Sequence, residues 1–279
     1  MHSRSQRALA LVGPGRAGTS LAAALVARGW HVSAVAGRAP DAPSTLAASA
    51  QFGAPAVEVA EAGRAADLVL VATPDALIAE TAAALAPGAR AGALVLHLSG
   101  ACTLAELDKL RLARPDVAVG SLHPLQSLPS TAVGVARIPG SWCAVDGPDD
   151  VDALAISLGM RPFRIADHDR ARYHAAATIA SNHLVALLGQ SDRIARAAGV
   201  PPEALLPLAR ATLENVEGLG AAAALTGPVA RGDADTVARH LDALPVDERA
   251  AYRALAAEAL RLTGRDDPAV RDAVREHAR

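Results

Sequence analysis

Two halves of different pattern predict an α/β domain with a mostly parallel, doubly wound sheet, followed by an all-α C-terminal domain. Up to residue 166, short apolar runs alternate with helical patterns, as in a parallel sheet covered on both faces. From Asp167 onward apolar residues recur only at helical spacing, and no strand run returns. A glycine-rich turn joining the first apolar run to the first helical pattern is the third observation. The expected domains are therefore residues 1–166 and 167–279, joined without a flexible linker.

The elements follow in order. "ALALVG" (8–13) reads as a buried strand and "RAGTSLAAALVARG" (16–29) as a helix with Leu21, Leu25 and Val26 on one face. "HVSAVAGR" (31–38) is a second strand, "TLAASAQFG" (45–53) a short helix, and "ADLVLVAT" (66–73) a third strand closed by Pro74-Asp75. "PDALIAETAAALAPG" (74–88) is a helix and "GALVLHLSG" (92–100) a strand. "TLAELDKLRLA" (103–113) opens on Thr103 with Glu106 three residues on, the pattern of a capping box. "VAVGSL" (117–122), "SWCAVDG" (141–147) and "RPFRIA" (161–166) are further strands. In the second half, Gly199 to Pro202, Thr226-Gly227-Pro228 and Leu244-Pro245 separate successive helices.

Bulk composition excludes several classes. Hydrophobic residues make up 51% of the 279, ample for packed cores, while the net charge of −2 comes with no charge block. A nucleic-acid surface would want a basic stripe, so that partner is not expected. Cys102 and Cys143 are too far apart in sequence for a zinc motif or a disulfide framework, and no metal is expected. Lys109 is the only lysine, which all but excludes a catalytic lysine. Arg4 and Arg7 before the apolar run mimic a signal peptide, but six apolar residues fall short of the ~7–15 that such a segment needs. No apolar stretch reaches the ~18 residues of a membrane span. The expectation is a soluble cytoplasmic protein with no membrane partner.

Gly13, Gly15 and Gly18 form G-x-G-x-x-G between a strand and a helix, the context that a Rossmann dinucleotide loop requires. Gly13 makes the tight turn, Gly15 lets a pyrophosphate approach the backbone, and Gly18 lets helix and strand pack closely. The free N–H groups at the helix start, those of Gly15, Arg16, Ala17 and onward, bind the phosphates, with Pro14 part of the same cofactor-facing loop. The end of the second strand, Ala36-Gly37-Arg38, lacks the acid that would bind the ribose of NAD. Arg38 offers a fork suited to a 2′-phosphate, which favours NADP(H); the plainer reading is a solvated loop arginine. Gly37 with Arg38, and Ala72-Thr73-Pro74 at the end of the third strand, complete the cofactor-facing set.

With these elements placed, "GPGRAGTSLAAAL", "LHLSGA", "LHPLQSL", "YHAAATIASNHLVAL" and "LTGPVARGD" resemble, in order, bacterial Rossmann-like proteins whose C-terminal half is the domain of unknown function 2520. The architecture is similar to that of 6-phosphogluconate dehydrogenase-like enzymes, among them pyrroline-5-carboxylate reductase, ketopantoate reductase and prephenate dehydrogenase. The resemblance implies an NADP-dependent oxidoreductase with a dimerising helical domain, but it does not imply a substrate. Those relatives commonly reduce or oxidise small anionic acids, so the expected substrate is a small oxo- or imino-acid, of which a ketopantoate-like acid is one example. Ketopantoate reductases use a lysine in the helical domain, and this chain has none there.

Four sets of polar residues are candidates for chemistry. Ser99, ending a strand, either bonds a substrate oxygen or nicotinamide amide, or caps a turn; His97 beside it reads as packing. His123-Pro124 is similar to the His-Pro pair of prephenate dehydrogenases, which implies that His123 transfers a proton; its ordinary pKa near neutrality suits this. The other reading is a loop-fixing hydrogen bond. His174, Thr178, Ser181 and Asn182 fall within about 100° of helical arc. Their segment, Tyr173 to Ser191, is free of Asp, Glu, Lys and Arg, and so is expected to be buried, against either a ligand or a partner helix. In the first case Asn182 orients a carbonyl and His174 assists. Thr226 reads as a helix cap ahead of Pro228, with substrate carboxylate binding at that helix start as the other reading. The competing function is a non-catalytic dinucleotide-binding sensor or assembly protein.

Overall fold

The structure, a computed structural model, describes residues 7–275, so Arg4 lies outside it. Seven strands make one sheet: β1 (Ala8–Val12), β2 (His31–Ala36), β3 (Leu68–Val71), β4 (Leu94–His97), β5 (Ala118–Pro124), β6 (Trp142–Asp146) and β7 (Arg161–Phe163). Their order is β2-β1-β3-β4-β5-β6-β7. The first five run parallel; β6 turns antiparallel to β5, and β7 runs parallel to β6.

Alternation along the strands builds two cores, one on each face of the sheet. Leu9, Leu11, Leu68, Leu70, Leu96 and Leu122 face one way with Leu21 and Leu25 of α1 (Arg16–Val26). Ala10, Val12, Val69, Val71 and Val95 face the other way with Ile78 and Leu85 of a later helix. Every residue of β1 and β3 is buried, which explains why their sequence is apolar without a gap. Each fully buried leucine contributes roughly 1.5–3 kcal/mol.

The remaining helices of this half are α2 (Pro43–Phe52), α3 (Val59–Ala62), α4 (Ile78–Leu85), α5 (Asp108–Ala113), α6 (Thr131–Arg137) and α7 (Asp149–Ser157). Three of them, α3, α6 and α7, are short or carry little apolar periodicity, and the sequence reading passes over them. The Thr103 hydroxyl does accept a backbone bond, from Ala105 N–H at 3.3 Å, but the turn it starts is a 3-10 turn (Leu104–Leu107) that only then becomes α5.

After Phe163 the described chain is helical. α8 (Arg170–Thr178) runs into a π-helical turn (Ile179–His183) and on into α9 (Leu184–Ala197). The chain divides into two compact units between Ser181 and Asn182. That is beyond the sequence boundary at 166/167, because α8 is fastened to the first unit. Arg170, 2% exposed, donates from Nη2 to Asp146 Oδ2 (3.1 Å) and Ser121 Oγ (3.2 Å), and from Nε to Asp167 (3.3 Å). Tyr173, one turn on, meets Phe163 edge to face.

The second unit holds α9, α10 (Leu205–Leu219), α11 (Ala221–Ala224), α12 (Pro228–Arg231), α13 (Ala234–Ala243), α14 (Val246–Thr263) and α15 (Pro268–Arg275). Its core gathers Val229, Val237, Leu241, Leu260, Val270 and Val274. α9 is tied to α14: Gln190 Nε2 donates to the Glu248 carbonyl (2.9 Å), and Arg193 grips the Glu248 carboxylate with two bonds. No residue of α10 is buried, although it carries Leu206, Leu208, Leu213 and Leu219. Thr226 makes no capping bond; Gly227, at φ +100°, precedes α12, and the sequence reading of Thr226 as a cap is corrected.

Removing the Arg170 guanidinium leaves Asp146 facing a desolvated gap. Loss of one partner of a buried pair typically costs about 3–5 kcal/mol. Asp146 keeps 29% side-chain exposure, so water relieves part of that cost. Arg170→Ala is expected to lower stability by about 3 kcal/mol in urea unfolding, and a loss under 1 kcal/mol would contradict the anchoring role.

Candidate functional site

The carboxyl ends of parallel strands are where such sheets bind ligands, and the candidate residues of the first unit collect there. The glycine loop follows β1. Gly13 sits at φ +85°, and a Cβ on it would lie 2.6 Å from the Thr73 nitrogen and 2.7 Å from the Ala72 carbonyl carbon. Only glycine permits that pass between β1 and the end of β3. A Cβ on Gly18 would lie 2.7 Å from that of Ala72 and 2.9 Å from Leu11, so this glycine sets how closely α1 packs on the sheet. Gly15 is the opposite case: nothing stands within 4 Å of its missing Cβ, and Gly15, Arg16 and Ala17 are exposed. No side chain caps α1. Its first N–H groups therefore face an open space, the arrangement that receives phosphate.

The rest of the predicted cofactor set surrounds this loop. Gly37 lies beside Pro14, and a Cβ there would strike the Thr45 hydroxyl. Arg38 is exposed. Thr73 Oγ1 is buried and has no hydrogen-bond partner among the described residues, an orphaned polar group next to the glycine turn. An open helix start, a glycine that a side chain would block and an unsatisfied hydroxyl fit a dinucleotide in this position.

β4 and β5 supply the second cluster. His97 is the last residue of β4 and fully buried; its Nδ1 accepts from Ser99 N–H at 3.3 Å. Burial, then the Arg170 cation, push its pKa down to about 4. Ser99 Oγ accepts from the N–H groups of Ala101 (3.1 Å) and Cys102 (3.0 Å), so the serine caps this turn and keeps only its O–H to donate. Gly100 passes under His123: a Cβ there would lie 2.8 Å from the imidazole.

His123 lies next to the end of β5, and its Nδ1 is 2.7 Å from Tyr173 Oη. Its ring meets Tyr173 edge to face at 5.6 Å and His174 at 5.9 Å. Burial first, then the neighbouring His174 and other charges, lower its pKa to about 4. The expectation of a histidine titrating near neutrality is thereby corrected: His123 is a neutral imidazole at pH 7. Burial pushes the Tyr173 phenol up to about 12, against the pull of Arg170. The pair therefore holds one phenolic proton and one imidazole N–H, with no net charge.

The structure thus brings together His123, His174 and Tyr173, with Ser99-Gly100 beneath. Asn182 belongs to the second unit. The buried stripe expected from Tyr173 to Ser191 is not found. Within the chain Ser181 and Asn182 are exposed, His174 and Thr178 half-buried, and only Gln190 is buried. The π turn also changes, by its wider winding, the face on which residues after Thr178 emerge, so an arc counted at 100° per residue does not carry past it. Ser181 bonds back to the Ala177 carbonyl at 2.7 Å. Tyr173 and Arg170 were missed. Tyr173 opens the charge-free stretch and is one of two tyrosines; Arg170 gives no signal among so many surface arginines. Among the described residues, no His/Cys/Asp/Glu group is placed to hold a metal, and no helix is long and apolar enough to cross a membrane.

Comparison with known proteins agrees with this architecture. The Rossmann-like domain pattern matches residues 3–122, and the domain of unknown function 2520 matches residues 143–259. The two matches follow one another along the chain, an N-terminal Rossmann-like domain and then the domain of unknown function 2520. No curated protein matches the sequence. Among solved structures, a candidate NADP oxidoreductase from Bacteroides fragilis superposes with a TM-score of 0.77 at 23% identity, covering 92% of this chain and 98% of that one. An imine reductase from Pseudomonas sp. reaches 0.60 at 20% identity, covering 95% and 90%. A reductive aminase from Aspergillus terreus, in complex with NADPH and ethyl levulinate, reaches 0.59 at 16%, covering 94% and 88%. At these identities the likeness is one of fold.

The glycines yield a paired test. Gly13→Ala forces a side chain into backbone at positive φ and is expected to destabilise the protein by more than ~2 kcal/mol in thermal unfolding. Gly15→Ala meets open space and should leave the melting temperature nearly unchanged while weakening NADPH binding at least tenfold by calorimetry. Equal NADPH affinity in the Gly15 variant would contradict the phosphate assignment.

Proposed function

We propose that this protein is an NADP-dependent reductase or dehydrogenase acting on the C=O or C=N group of a small oxo- or imino-acid. The observation that carries the proposal is the His123–Tyr173 hydrogen bond at the carboxyl end of a sheet whose first turn is an open glycine loop. The names of the structural neighbours, an NADP oxidoreductase candidate, an imine reductase and a reductive aminase, support the same reaction class.

In this reading the backbone N–H groups at the start of α1 hold the pyrophosphate, and Arg38 takes the 2′-phosphate. NADPH, when bound, supplies the hydride. The chain's own residues manage the proton. Tyr173 Oη–H donates its proton to the substrate oxygen or nitrogen as charge develops there. The resulting phenolate accepts the N–H of His123 Nδ1, and the Arg170 cation favours it electrostatically. Water then returns the proton to Tyr173. His123 acts here as a fixed neutral donor and Tyr173 as the acid, which divides the role first assigned to His123 alone. A placed acid typically contributes ~10²–10⁴-fold in rate.

Oxo-acids and cyclic imines, screened with NADPH at 340 nm, test the class. For an accepted substrate, Tyr173→Phe is expected to lower kcat at least ~10²-fold with NADPH affinity unchanged. A Tyr173→Phe enzyme of full kcat would refute the assignment. NADPH should bind more tightly than NADH, and Arg38→Ala should remove most of that difference; equal affinities in the unaltered protein would contradict the NADP preference.

The exposed leucines of α10 support a homodimer through the helical unit, since exposed apolar surface of this kind becomes interface. Light scattering at micromolar concentration should give twice the 28.3 kDa chain mass, and a monomer mass would overturn this.

A further inference from the structure

This chain is poor in aromatic residues, with two each of Phe, Trp and Tyr. Three of them stand in one continuous edge-to-face series that ends on the proton-handling pair. Trp142 meets Phe163 at 6.1 Å, Phe163 meets Tyr173 at 5.8 Å, and Tyr173 meets His123 at 5.6 Å.

The sheet register explains how the series forms. Ala144 of β6 lies opposite both His123 of β5 and Phe163 of β7. Residues opposite one another across neighbouring strands point to the same face, as do residues two apart on one strand. His123, Ala144, Phe163 and Trp142 therefore share a face, while Leu122, Cys143 and Val145 serve the core on the other. The small Ala144 keeps the middle of the row low. β6 runs antiparallel to β5, so its first residue, Trp142, stands at the carboxyl edge of the parallel strands, the ligand end of the sheet.

Phe163 and Tyr173 are half-buried, and their contact fastens α8. Trp142 is different. It is 51% exposed and makes no ring contact with α8 among the described residues, yet its ring meets Phe163 on one side and the Arg161 guanidinium lies over it, 5.6 Å from the centroid. A fixed, half-exposed indole continuing an aromatic row toward a proton donor is a surface built for a flat apolar group.

We propose that Trp142, Phe163 and Tyr173 form the wall that selects the substrate, and that the substrate carries an aromatic or comparably flat apolar ring. The ring packs on Trp142 and Phe163 and delivers its C=O or C=N group to Tyr173 Oη. Trp142 and Phe163 are specificity-determining residues. The inference rests on the oxidoreductase reading above and adds to it the class of side group that the site prefers.

Two compounds sharing one reacting head test it: 2-oxo-4-phenylbutyrate carries a ring, and 2-oxobutyrate does not. Binding is read from tryptophan fluorescence of the full-length protein with saturating NADP⁺, in a Trp30→Phe background that leaves Trp142 as the sole reporter. The ring-bearing acid is expected to quench Trp142 and to bind at least tenfold more tightly than 2-oxobutyrate. Turnover at 340 nm and calorimetry extend the comparison to Trp142→Ala and Phe163→Leu. In these variants the preference should fall toward one, with NADPH affinity retained. Equal affinity for the two acids in the parent protein overturns the proposal without recourse to any variant. So does a Trp142→Ala protein that keeps its ring preference but loses its dimer by light scattering, which would make the wall an interface between copies. A ring preference in binding with no NADPH consumed for either acid supports the wall and counts instead against the oxidoreductase reading.

Discussion

One buried cation holds the first unit and its candidate site in register. Arg170 reaches from the first turn of α8 to Asp146 on β6 and Ser121 on β5. A guanidinium almost without solvent is tolerable only where its donors are matched, so the position of α8 over the end of the sheet is set within narrow limits. Tyr173 lies one helical turn further along, and that turn brings its hydroxyl over His123. The same charge acts on the site electrically: it opposes protonation of His97 and His123 and favours ionisation of Tyr173. Structure and proton chemistry thus depend on a single side chain.

The low pKa of the two histidines has a thermodynamic consequence. Each imidazole is neutral, His97 fully buried and His123 partly so, with a pKa near 4 against an ordinary 6.5. Between those values the unfolded chain binds a proton that the folded one refuses. The stability that neutral burial contributes is therefore complete above about pH 6.5 and is lost as pH falls toward 4. A reaction relying on neutral His123 keeps a constant ionisation state from mildly acidic to alkaline pH, up to the range where Tyr173 itself ionises.

Much of the fold was legible in the sequence because burial on both faces writes continuous apolar runs. β1 and β3 have no exposed position, and their runs could be read almost residue by residue. The glycines were legible for the same reason: sterics at Gly13 and Gly18 leave no alternative residue. What could not be read is what periodicity does not encode. The antiparallel turn of β6 depends on chain reversal through α6, a helix with little apolar pattern. The π turn at Ile179–His183 breaks the spacing on which the His174–Asn182 stripe was built. His123 was found by its place after a strand, but Tyr173 came into view only when Arg170 fixed α8, and no local feature marks that arginine among its many surface counterparts. The strand pattern at 92–100 runs past His97, which is in fact the last residue of β4.

The proposed chemistry needs a neutral His123 hydrogen-bonded to a protonated Tyr173. The most direct measurement is an NMR titration of the His123 imidazole from pH 8 to pH 4, assigned with a His123→Gln protein. The ring is expected to stay neutral through pH 5 and to begin to protonate only as pH approaches 4, and Tyr173→Phe is expected to alter its chemical shift at every pH. A midpoint near the ordinary 6.5, unaffected by Tyr173→Phe, would contradict both the burial and the bond on which the proposed chemistry rests.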